Sequence, residues 1–301
     1  MNQPHIIDGK TISATIRTGF GPRIARLWQT GINPGLAVIL IGDDPASQVY
    51  VGMKAKAFAE MGLVSNTFRL SAEVTVTEVL DLVTELNVDP RWHGILIQLP
   101  LPSHLDTYRI IEAIDPAKDA DGIHPCNIGR MVLGIEAPLP CTPHGILMLL
   151  QYSGITTEGR HVVILGRSNI VGKPIANLML QKRPNGNATV TLCHTRTRDL
   201  KAITQTADIL IAALGQPEFI DRSFIRQGAV VIDVGVNRID DPNAAKGYRL
   251  AGDVNFADVA PLCAAITPVP GGVGPMTITM LIANTIYLAE QTLIDQKEHL
   301  R

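Results

Sequence analysis

The sequence predicts an α/β fold made of two α/β domains, and three observations lead to this prediction. Short runs of Val, Ile and Leu alternate with longer amphipathic stretches, which is typical of strands alternating with helices. The chain has 301 residues, which is enough for two domains at about 150 residues each. Two segments rich in proline interrupt the alternation and indicate where one domain gives way to the other.

The composition argues against several classes of protein. Apolar residues make up 46% of the chain and charged residues 18%, which excludes an intrinsically disordered protein. A net charge of −2 and an aromatic content of 4% predict no nucleic-acid partner, because phosphates attract basic surfaces and bases stack on aromatic side chains. No apolar run approaches the length of about 18 residues that a membrane span needs, and the start of the chain lacks a signal-peptide pattern. The four cysteines form no Cys-x-x-Cys motif, so we expect a soluble, reduced, cytoplasmic protein with no membrane partner.

Six apolar runs predict buried strands. Because their apolar character is continuous rather than alternating, we expect both faces of each strand to be covered, as in a mostly parallel sheet flanked by helices. The runs are Leu36–Ile41, Gly94–Leu99, His161–Leu165, Val190–Cys193, Ile209–Ala213 and Ala229–Val234.

The domain boundaries follow from the two interruptions. Ala137–Pro143 has three prolines in seven residues, and Pro268–Pro275 has three prolines and three glycines in eight. Neither composition continues a helix or a central strand. We therefore expect one domain at 144–275 and a discontinuous domain at 1–143 plus 276–301, the last helical stretch returning to the first domain.

A candidate dinucleotide site lies in the second domain, where His161–Gly172 reads HVVILGRSNIVG. A strand runs directly into Gly166, and a predicted helix follows Gly172. Such a turn brings backbone N–H groups and a helix N-terminus to a pyrophosphate. Ser168 replaces the middle glycine of the G-x-G-x-x-G pattern, so an ordinary strand–turn–helix is the alternative. The first interpretation makes this a Rossmann-like domain.

The strand Val190–Cys193 indicates which dinucleotide binds. It ends in His-Thr-Arg-Thr-Arg, where an NAD site usually has an acidic residue for the ribose hydroxyls. Hydroxyl and guanidinium groups favour a 2′-phosphate, and hence NADP. Arg167 is a second candidate for binding phosphate. The alternative is a solvated basic loop.

A lysine interrupts the apolar face of a helix predicted over Asp44–Gly62. Helical spacing places Lys54 in a row with Ser47, Tyr50, Ala57 and Phe58, whereas Lys56 points elsewhere. Burial between aromatic rings should lower the pKa of Lys54 and suit the amine to exchange protons near neutrality. The alternative is a lysine whose amine reaches solvent.

Two further polar features accompany this lysine. Gln98 lies in the apolar run GILIQLPLP, where a buried amide needs a partner such as the Lys54 amine; nearby backbone is the alternative. Asp119 and Asp121 lie in the loop PAKDADG, where one of them could accept a hydrogen bond from a substrate amine, or both could be ordinary turn residues. Too few other ligands lie nearby for a metal site, so we expect none.

The chain carries a series of motifs in a specific order. They are GDDPAS, YVGMKAK, GILIQLPLP, KDADGIHPCNIGR, PCTPHG, GRSNIVGKP, VIDVGVNR, GDV and TPVPGGVGPMT. Together they resemble the bifunctional methylenetetrahydrofolate dehydrogenase/methenyltetrahydrofolate cyclohydrolase family over nearly the whole chain. The resemblance implies two domains flanking a cleft, of which the second binds NADP.

The resemblance also implies roles for individual residues. Lys54 matches the catalytic lysine, Gln98 the glutamine that holds it, and Tyr50 the tyrosine that lies against the folate ring system. Asp121 matches the aspartate that binds the pterin. The folate-lining loop matches Pro270, Gly271 and Gly272.

The cofactor positions are carried over in the same way. The NADP-contacting positions match Arg167, Ser168 and Thr195, beside the turn formed by Gly166 and Gly172. Asn169 stands where many members have lysine.

The implied activity has two steps at one carbon, in one pocket. NADP-linked oxidation of 5,10-methylenetetrahydrofolate gives 5,10-methenyltetrahydrofolate, and hydrolysis then gives 10-formyltetrahydrofolate, a one-carbon donor in purine biosynthesis. The resemblance further implies a homodimer that acts on tetrahydrofolate one-carbon derivatives. Two alternatives are an NADP-dependent dehydrogenase of a small hydroxy acid, such as a shikimate-type enzyme, and a catalytically silent nucleotide-binding module.

Overall fold

The strands alternate with helices along the chain, in a computed structural model that describes residues 4–242, 244 and 247–299. The strands are β1 (His5–Ile6), β2 (Gly35–Ile41), β3 (Val64–Leu70), β4 (Gly94–Ile97), β5 (His161–Leu165), β6 (Thr189–Cys193), β7 (Ile209–Ala212), β8 (Val230–Asp233), β9 (Asn237–Asp240), β10 (Tyr248–Ala251) and β11 (Ala265–Ile266). The helices are α1 (Gly9–Thr18), α2 (Gly21–Gln29), α3 (Pro45–Glu60), α4 (Val76–Val88), α5 (Thr107–Glu112), α6 (Pro125–Val132), α7 (Cys141–Tyr152), α8 (Gly172–Leu180), α9 (Leu200–Thr204), α10 (Phe256–Val259) and α11 (Val273–His299). Short 3₁₀ turns cover Pro116–Lys118, Arg222–Phe224 and Ala260–Leu262.

Each of the six predicted strands is confirmed to within two residues at either end. The strands β2, β4 and β7 are buried at every position, as continuous apolar runs require. The apolar runs do not predict the remaining strands, β1, β3, β9, β10 and β11. The strand β3 is half-exposed and has three consecutive polar residues at 65–67, so it lacks a continuous apolar run, and β1 and β11 have two residues each.

The sheets are parallel apart from one hairpin, which confirms the predicted fold class. A six-stranded sheet has the order β1-β11-β8-β7-β5-β6, and each neighbouring pair is parallel. A three-stranded parallel sheet has the order β3-β2-β4. The strands β9 and β10 form a separate antiparallel pair.

The contacts between Cα atoms divide the chain into two units. The six-stranded unit comprises the chain up to Thr15 together with Thr142–Thr277. The three-stranded unit comprises Ile16–Cys141 and the chain from Ile278 onward. The predicted boundaries differ from this division at the N-terminus, because β1 pairs with β11 and so adds the first residues to the larger sheet. The predicted bounds also include residues 1–3 and 300–301, which lie outside the described residues.

The helix α3 begins and ends as its sequence predicts. The carboxylate of Asp44 accepts a hydrogen bond from Ser47 N at 2.7 Å, and Pro45 occupies the first helical position. Gly62, just past the end, has a φ of +69°, which glycine adopts without strain. Both ends of the helix are therefore fixed by local sequence.

Across residues 4–242, 244 and 247–299, no helix is both long enough and apolar enough to cross a membrane.

Candidate functional site

The buried face of α3 carries a lysine. Lys54 is only 9% exposed, and the other buried residues of the helix are Ser47, Val51, Ala57 and Phe58. Tyr50, one turn before Lys54, is half-buried. By contrast, the side chain of Lys56 is 79% exposed and lies 3.9 Å from Glu60. The predicted difference between the two lysines is therefore confirmed.

The amine of Lys54 has a fixed partner at the end of β4. Its Nζ donates a hydrogen bond to Gln98 Oε1 at 2.8 Å. The amide of Gln98 is itself oriented, because its Nε2 donates to the carbonyl oxygen of Leu99 at 2.7 Å. The strand β4 ends one residue before Gln98, so the glutamine stands at the carboxyl end of the sheet, where α/β proteins place their ligands.

The two aspartates of the following loop differ sharply. The carboxylate of Asp119 is 1% exposed and accepts hydrogen bonds from Gly122 N, Ile123 N, His124 N and Asn127 Nδ2 at 2.8–3.2 Å. Four donors saturate this carboxylate, so Asp119 fixes the loop. Asp121 is half-buried, and the charge with the largest effect on its pKa is that of Lys54, which opposes the rise caused by burial. Of the two candidates, Asp121 is the one that has acceptor capacity for a substrate.

Sequence reasoning missed two residues that bind the backbone of the loop carrying Asp121. Cys141, 1% exposed, donates through its backbone N to the carbonyl oxygen of Asp121 at 3.1 Å and through its thiol to that of Ala120 at 3.4 Å. Asn284 of α11 donates to the carbonyl oxygens of Ala120 and Leu139, each at 2.9 Å. Asn284 interrupts the apolar run MLIANTIYLA, a signal of the same kind as Gln98 in its own apolar run.

Burial dominates the electrostatics of this cluster. Desolvation lowers the pKa of Lys54, although the charge of Asp121 opposes the shift. Desolvation raises the pKa of Asp121, against the effect of Lys54, and it raises the pKa of Tyr50 as well. Both members of the lysine–aspartate pair are thus shifted toward their neutral forms, and such an amine exchanges protons more readily than an exposed one.

The six-stranded unit holds the predicted dinucleotide turn. Gly166 has a φ of +108°, and a Cβ there would lie 2.0 Å from the carbonyl oxygen of Ala213. A Cβ on Gly172 would lie 1.9 Å from the carbonyl oxygen of Gly166. Ser168 Oγ accepts hydrogen bonds from Val171 N at 3.1 Å and Gly172 N at 3.3 Å. The Ser168 hydroxyl thus stabilises the turn at the position where the G-x-G-x-x-G pattern has its middle glycine. Gly166 and Gly172 are required sterically, because a side chain at either position would clash with backbone.

The other predicted cofactor residues lie at the same end of the sheet. Arg167 follows β5 and Thr195 follows β6, and both side chains are exposed. Because β5 and β6 are parallel neighbours, the two residues leave adjacent strand ends. The turn, a cation and a hydroxyl at one sheet edge fit a phosphorylated dinucleotide.

The loop before α11 belongs to the six-stranded unit too. Pro270 is exposed, while Gly271 and Gly272 are buried. Gly271 has a φ of +113°, and a Cβ on Gly9 of α1 would lie 1.8 Å from the carbonyl oxygen of Gly272. The loop therefore packs closely against the start of α1.

Among the residues that the structure describes, no group of three or more His, Cys, Asp or Glu side chains could hold a metal ion.

Comparison with known proteins decides the family. The tetrahydrofolate dehydrogenase/cyclohydrolase catalytic-domain model matches residues 7–121, and the NAD(P)-binding-domain model of the same family matches residues 140–293. The chain belongs to the tetrahydrofolate dehydrogenase/cyclohydrolase family. This membership favours the folate interpretation over a hydroxy-acid dehydrogenase.

Relatives in the tetrahydrofolate dehydrogenase/cyclohydrolase family match over nearly their whole length. The Bifunctional protein FolD of Prosthecochloris aestuarii is 55% identical over 93% of this chain and 96% of its own. The crystal structure of the bifunctional enzyme FolD from Campylobacter jejuni is 45% identical, with a TM-score of 0.89 over 95% of this chain and 99% of its own. FolD of Trypanosoma brucei, solved with NADP cofactor and an inhibitor, is 38% identical, with a TM-score of 0.92 over 97% of this chain and 99% of its own.

Thiol reactivity should distinguish Cys141 from Cys126. Burial, reinforced by Asp121, raises the pKa of Cys141 well above its ordinary value, and Cys193 and Cys263 are also buried, whereas Cys126 is exposed. We expect the native protein to react rapidly with Ellman's reagent at one thiol, and at all four after denaturation. Replacement of Cys126 by Ser should remove the rapid phase, and a rapid phase that persists would contradict the packing around Asp121.

Proposed function

We propose that this chain oxidises 5,10-methylenetetrahydrofolate to 5,10-methenyltetrahydrofolate with NADP, and hydrolyses that product to 10-formyltetrahydrofolate in the same pocket. The observation that supports the proposal most directly is that Lys54 is only 9% exposed and that its Nζ lies 2.8 Å from Gln98 Oε1. Membership of the tetrahydrofolate dehydrogenase/cyclohydrolase family supplies the substrate class. Both reactions take place at the carbon that bridges two substrate nitrogens, so one set of residues serves both.

The lowered pKa of Lys54 suits the charge of the intermediate. Removal of hydride from the methylene carbon leaves a cation delocalised over the two nitrogens, and a fixed ammonium beside it would repel it. Because desolvation favours the neutral amine, Lys54 tolerates the cation. NADP, when bound, supplies the hydride acceptor.

In the hydrolytic step Lys54 acts first as a base and then as an acid. The neutral amine takes a proton from the water that adds to the methenyl carbon, and the resulting ammonium returns a proton to the ring nitrogen as its bond to that carbon breaks. The second proton of the water leaves to solvent. Gln98 holds Nζ in place through its oriented amide. Asp121 and Tyr50 bind the pterin, the first through hydrogen bonds and the second through its ring.

The cofactor residues divide by function. The turn formed by Gly166, Ser168 and Gly172 would hold the pyrophosphate, because it combines close backbone approach with a helix N-terminus. Arg167 and Thr195 would bind the 2′-phosphate. Pro270, Gly271 and Gly272 would line the folate. We accordingly assign NADP to the predicted domain at 144–275, and the catalytic residues to 1–143 plus 276–301.

Substitution of Lys54 tests the hydrolytic role. We expect Lys54→Met to lower the rate of hydrolysis of methenyltetrahydrofolate by ~10²-fold or more, because general acid–base catalysis contributes about that much. The measurement is the disappearance of methenyl absorbance. Lys56→Met is the matched control, one exposed lysine on the same helix, and should keep the wild-type rate. A Lys54→Met enzyme that hydrolyses at the rate of the Lys56→Met control would defeat the proposal.

Cofactor preference tests the phosphate-binding role of Arg167. We expect Arg167→Ala to raise KM for NADP about tenfold and to leave KM for NAD almost unchanged. A charge-assisted hydrogen bond contributes about 1.5 kcal/mol to binding, which corresponds to a tenfold change in affinity. Arg160, exposed at the opposite end of β5, provides the control variant Arg160→Ala. Equal effects on NADP and NAD would show that Arg167 does not read the 2′-phosphate.

We also propose a cytoplasmic homodimer whose formyl product supplies purine biosynthesis. Four unbridged cysteines suit a reducing compartment. The half-exposed strand β3 forms an edge of its sheet, and edge strands are ready to pair with another chain. Sedimentation equilibrium should therefore give a mass twice the 32.5 kDa of one chain, and a monomer at micromolar concentration would refute the dimer.

A further inference from the structure

A buried carboxylate at the carboxyl end of the six-stranded sheet occupies a cluster of backbone donors. Asp253 is fully buried. Its Oδ2 accepts hydrogen bonds from Leu214 N at 2.6 Å and Gly215 N at 3.1 Å, and its Oδ1 accepts from Gln216 N at 2.9 Å and Asn237 Nδ2 at 3.0 Å. Three successive backbone N–H groups that converge on one point form an anion-binding concavity. Here the chain fills that concavity with its own carboxylate.

A second buried carboxylate positions the first. Asp233, 4% exposed, accepts hydrogen bonds from Asp253 N at 2.9 Å and from Gly235 N and Val254 N at 3.0 Å each. Its own backbone N donates to Thr267 Oγ1 at 2.8 Å. The segments that follow β7, β8 and β11 are therefore joined through two carboxylates and one hydroxyl.

Two glycines make room for this arrangement. A Cβ on Gly252 would lie 1.8 Å from Asp233 Oδ2, and a Cβ on Gly235 would lie 2.3 Å from Asp253 Oδ1. Gly252 precedes Asp253 in sequence but packs against Asp233. Gly235 follows Asp233 by two residues but packs against Asp253. The motifs VIDVGVNR and GDV thus encode one interlocked pair of carboxylates.

The loop held by Asp253 adjoins the dinucleotide turn. Gly166 approaches the carbonyl oxygen of Ala213 so closely that a Cβ would lie 2.0 Å from it, and Leu214 follows directly. The strand β5 lies between β6 and β7 in the sheet. The connections that follow β5 and β6 therefore run to opposite sides of β5, so the strand order reverses between β5 and β7. In open α/β sheets that crevice takes the ligand.

We propose that Asp253 is a positioning residue for NADP, an inference that rests on the proposed function. By binding the N–H groups of residues 214–216, its carboxylate makes this loop unavailable to phosphate and directs the pyrophosphate to the turn between Gly166 and Gly172. The same hydrogen bonds fix the loop as a wall for the remaining half of the dinucleotide. Asp233 holds Asp253 in place.

Substitution of Asp253 by Asn tests the proposal. In either orientation, the amide NH₂ of Asn would face two backbone or side-chain donors and leave them unpaired. We expect Asp253→Asn to weaken NADP binding, measured by titration calorimetry, about tenfold or more. Hydrolysis of methenyltetrahydrofolate requires no NADP, so its rate should stay near that of the wild type and report that the variant is folded.

A matched control comes from the same unit. The carboxylate of Asp221 accepts a hydrogen bond from Ser223 N at 2.8 Å and caps a short 3₁₀ turn, so Asp221→Asn makes the same chemical change at a carboxylate that caps a different segment from residues 214–216. Its affinity for NADP should equal that of the wild type. A folded Asp253→Asn protein with the NADP affinity of Asp221→Asn would overturn the proposal.

Chemical rescue distinguishes positioning from general structural support. In Asp253→Ala the three N–H groups lose their carboxylate, and added formate should restore NADP affinity, whereas chloride at the same ionic strength should not. A further variant applies if both Asp253 variants fail to fold. Asn237→Ala removes one of the four donors and should weaken NADP binding about threefold. Unchanged affinity in Asn237→Ala would also overturn the proposal. A wild type that binds NADP but turns over neither folate substrate would refute the proposed function instead, and the calorimetric comparison would still test Asp253.

Discussion

The hydrogen bond between Lys54 and Gln98 is the interaction on which the proposed chemistry depends. Lys54 is only 9% exposed, and a lysine buried to this extent needs a well-placed acceptor for its amine. Gln98 supplies a neutral acceptor at 2.8 Å, so the amine is held without being forced into its charged form. A carboxylate in the same position would pair with the ammonium and raise its pKa. Among the described residues, the half-buried Asp121 then exerts the largest charge effect on the pKa of Lys54, ahead of Cys141.

Three aspartates near strand ends differ in how many hydrogen bonds their carboxylates accept. Asp119 and Asp253 each accept four hydrogen bonds from their own chain, and such carboxylates stabilise loops at the ends of strands. Asp121 makes fewer such bonds and keeps acceptor capacity for a ligand. The physical distinction is the number of donors already satisfied, because a saturated carboxylate gains nothing from a substrate. The saturated carboxylate of Asp119 therefore fixes the loop that carries Asp121, the aspartate that we propose binds the substrate.

Both candidate sites lie at the carboxyl ends of parallel strands. Gln98 follows β4, and Gly166 and Thr195 follow β5 and β6. In each unit the strand core is apolar and tightly packed, so polar residues collect where the strands end. The outer strand of the larger sheet, β1, comes from the start of the chain. Because β1 has only two residues, no local sequence pattern predicts it.

The sequence alone determined the elements whose signal is local. Continuous apolar runs located the buried strands, helical spacing put Lys54 on the inner face of α3, and a polar residue in an apolar run marked Gln98. Tertiary structure decided what depends on residues far apart in sequence. Three features join segments that are far apart in sequence and that no periodicity brings together. They are the pairing of β1 with β11, the hydrogen bonds of Cys141 and Asn284 to the loop that carries Asp121, and the hydrogen bond between Asp253 and Asp233. Hydrophobic periodicity reports which face of an element is buried, and only the folded chain reports what that face meets.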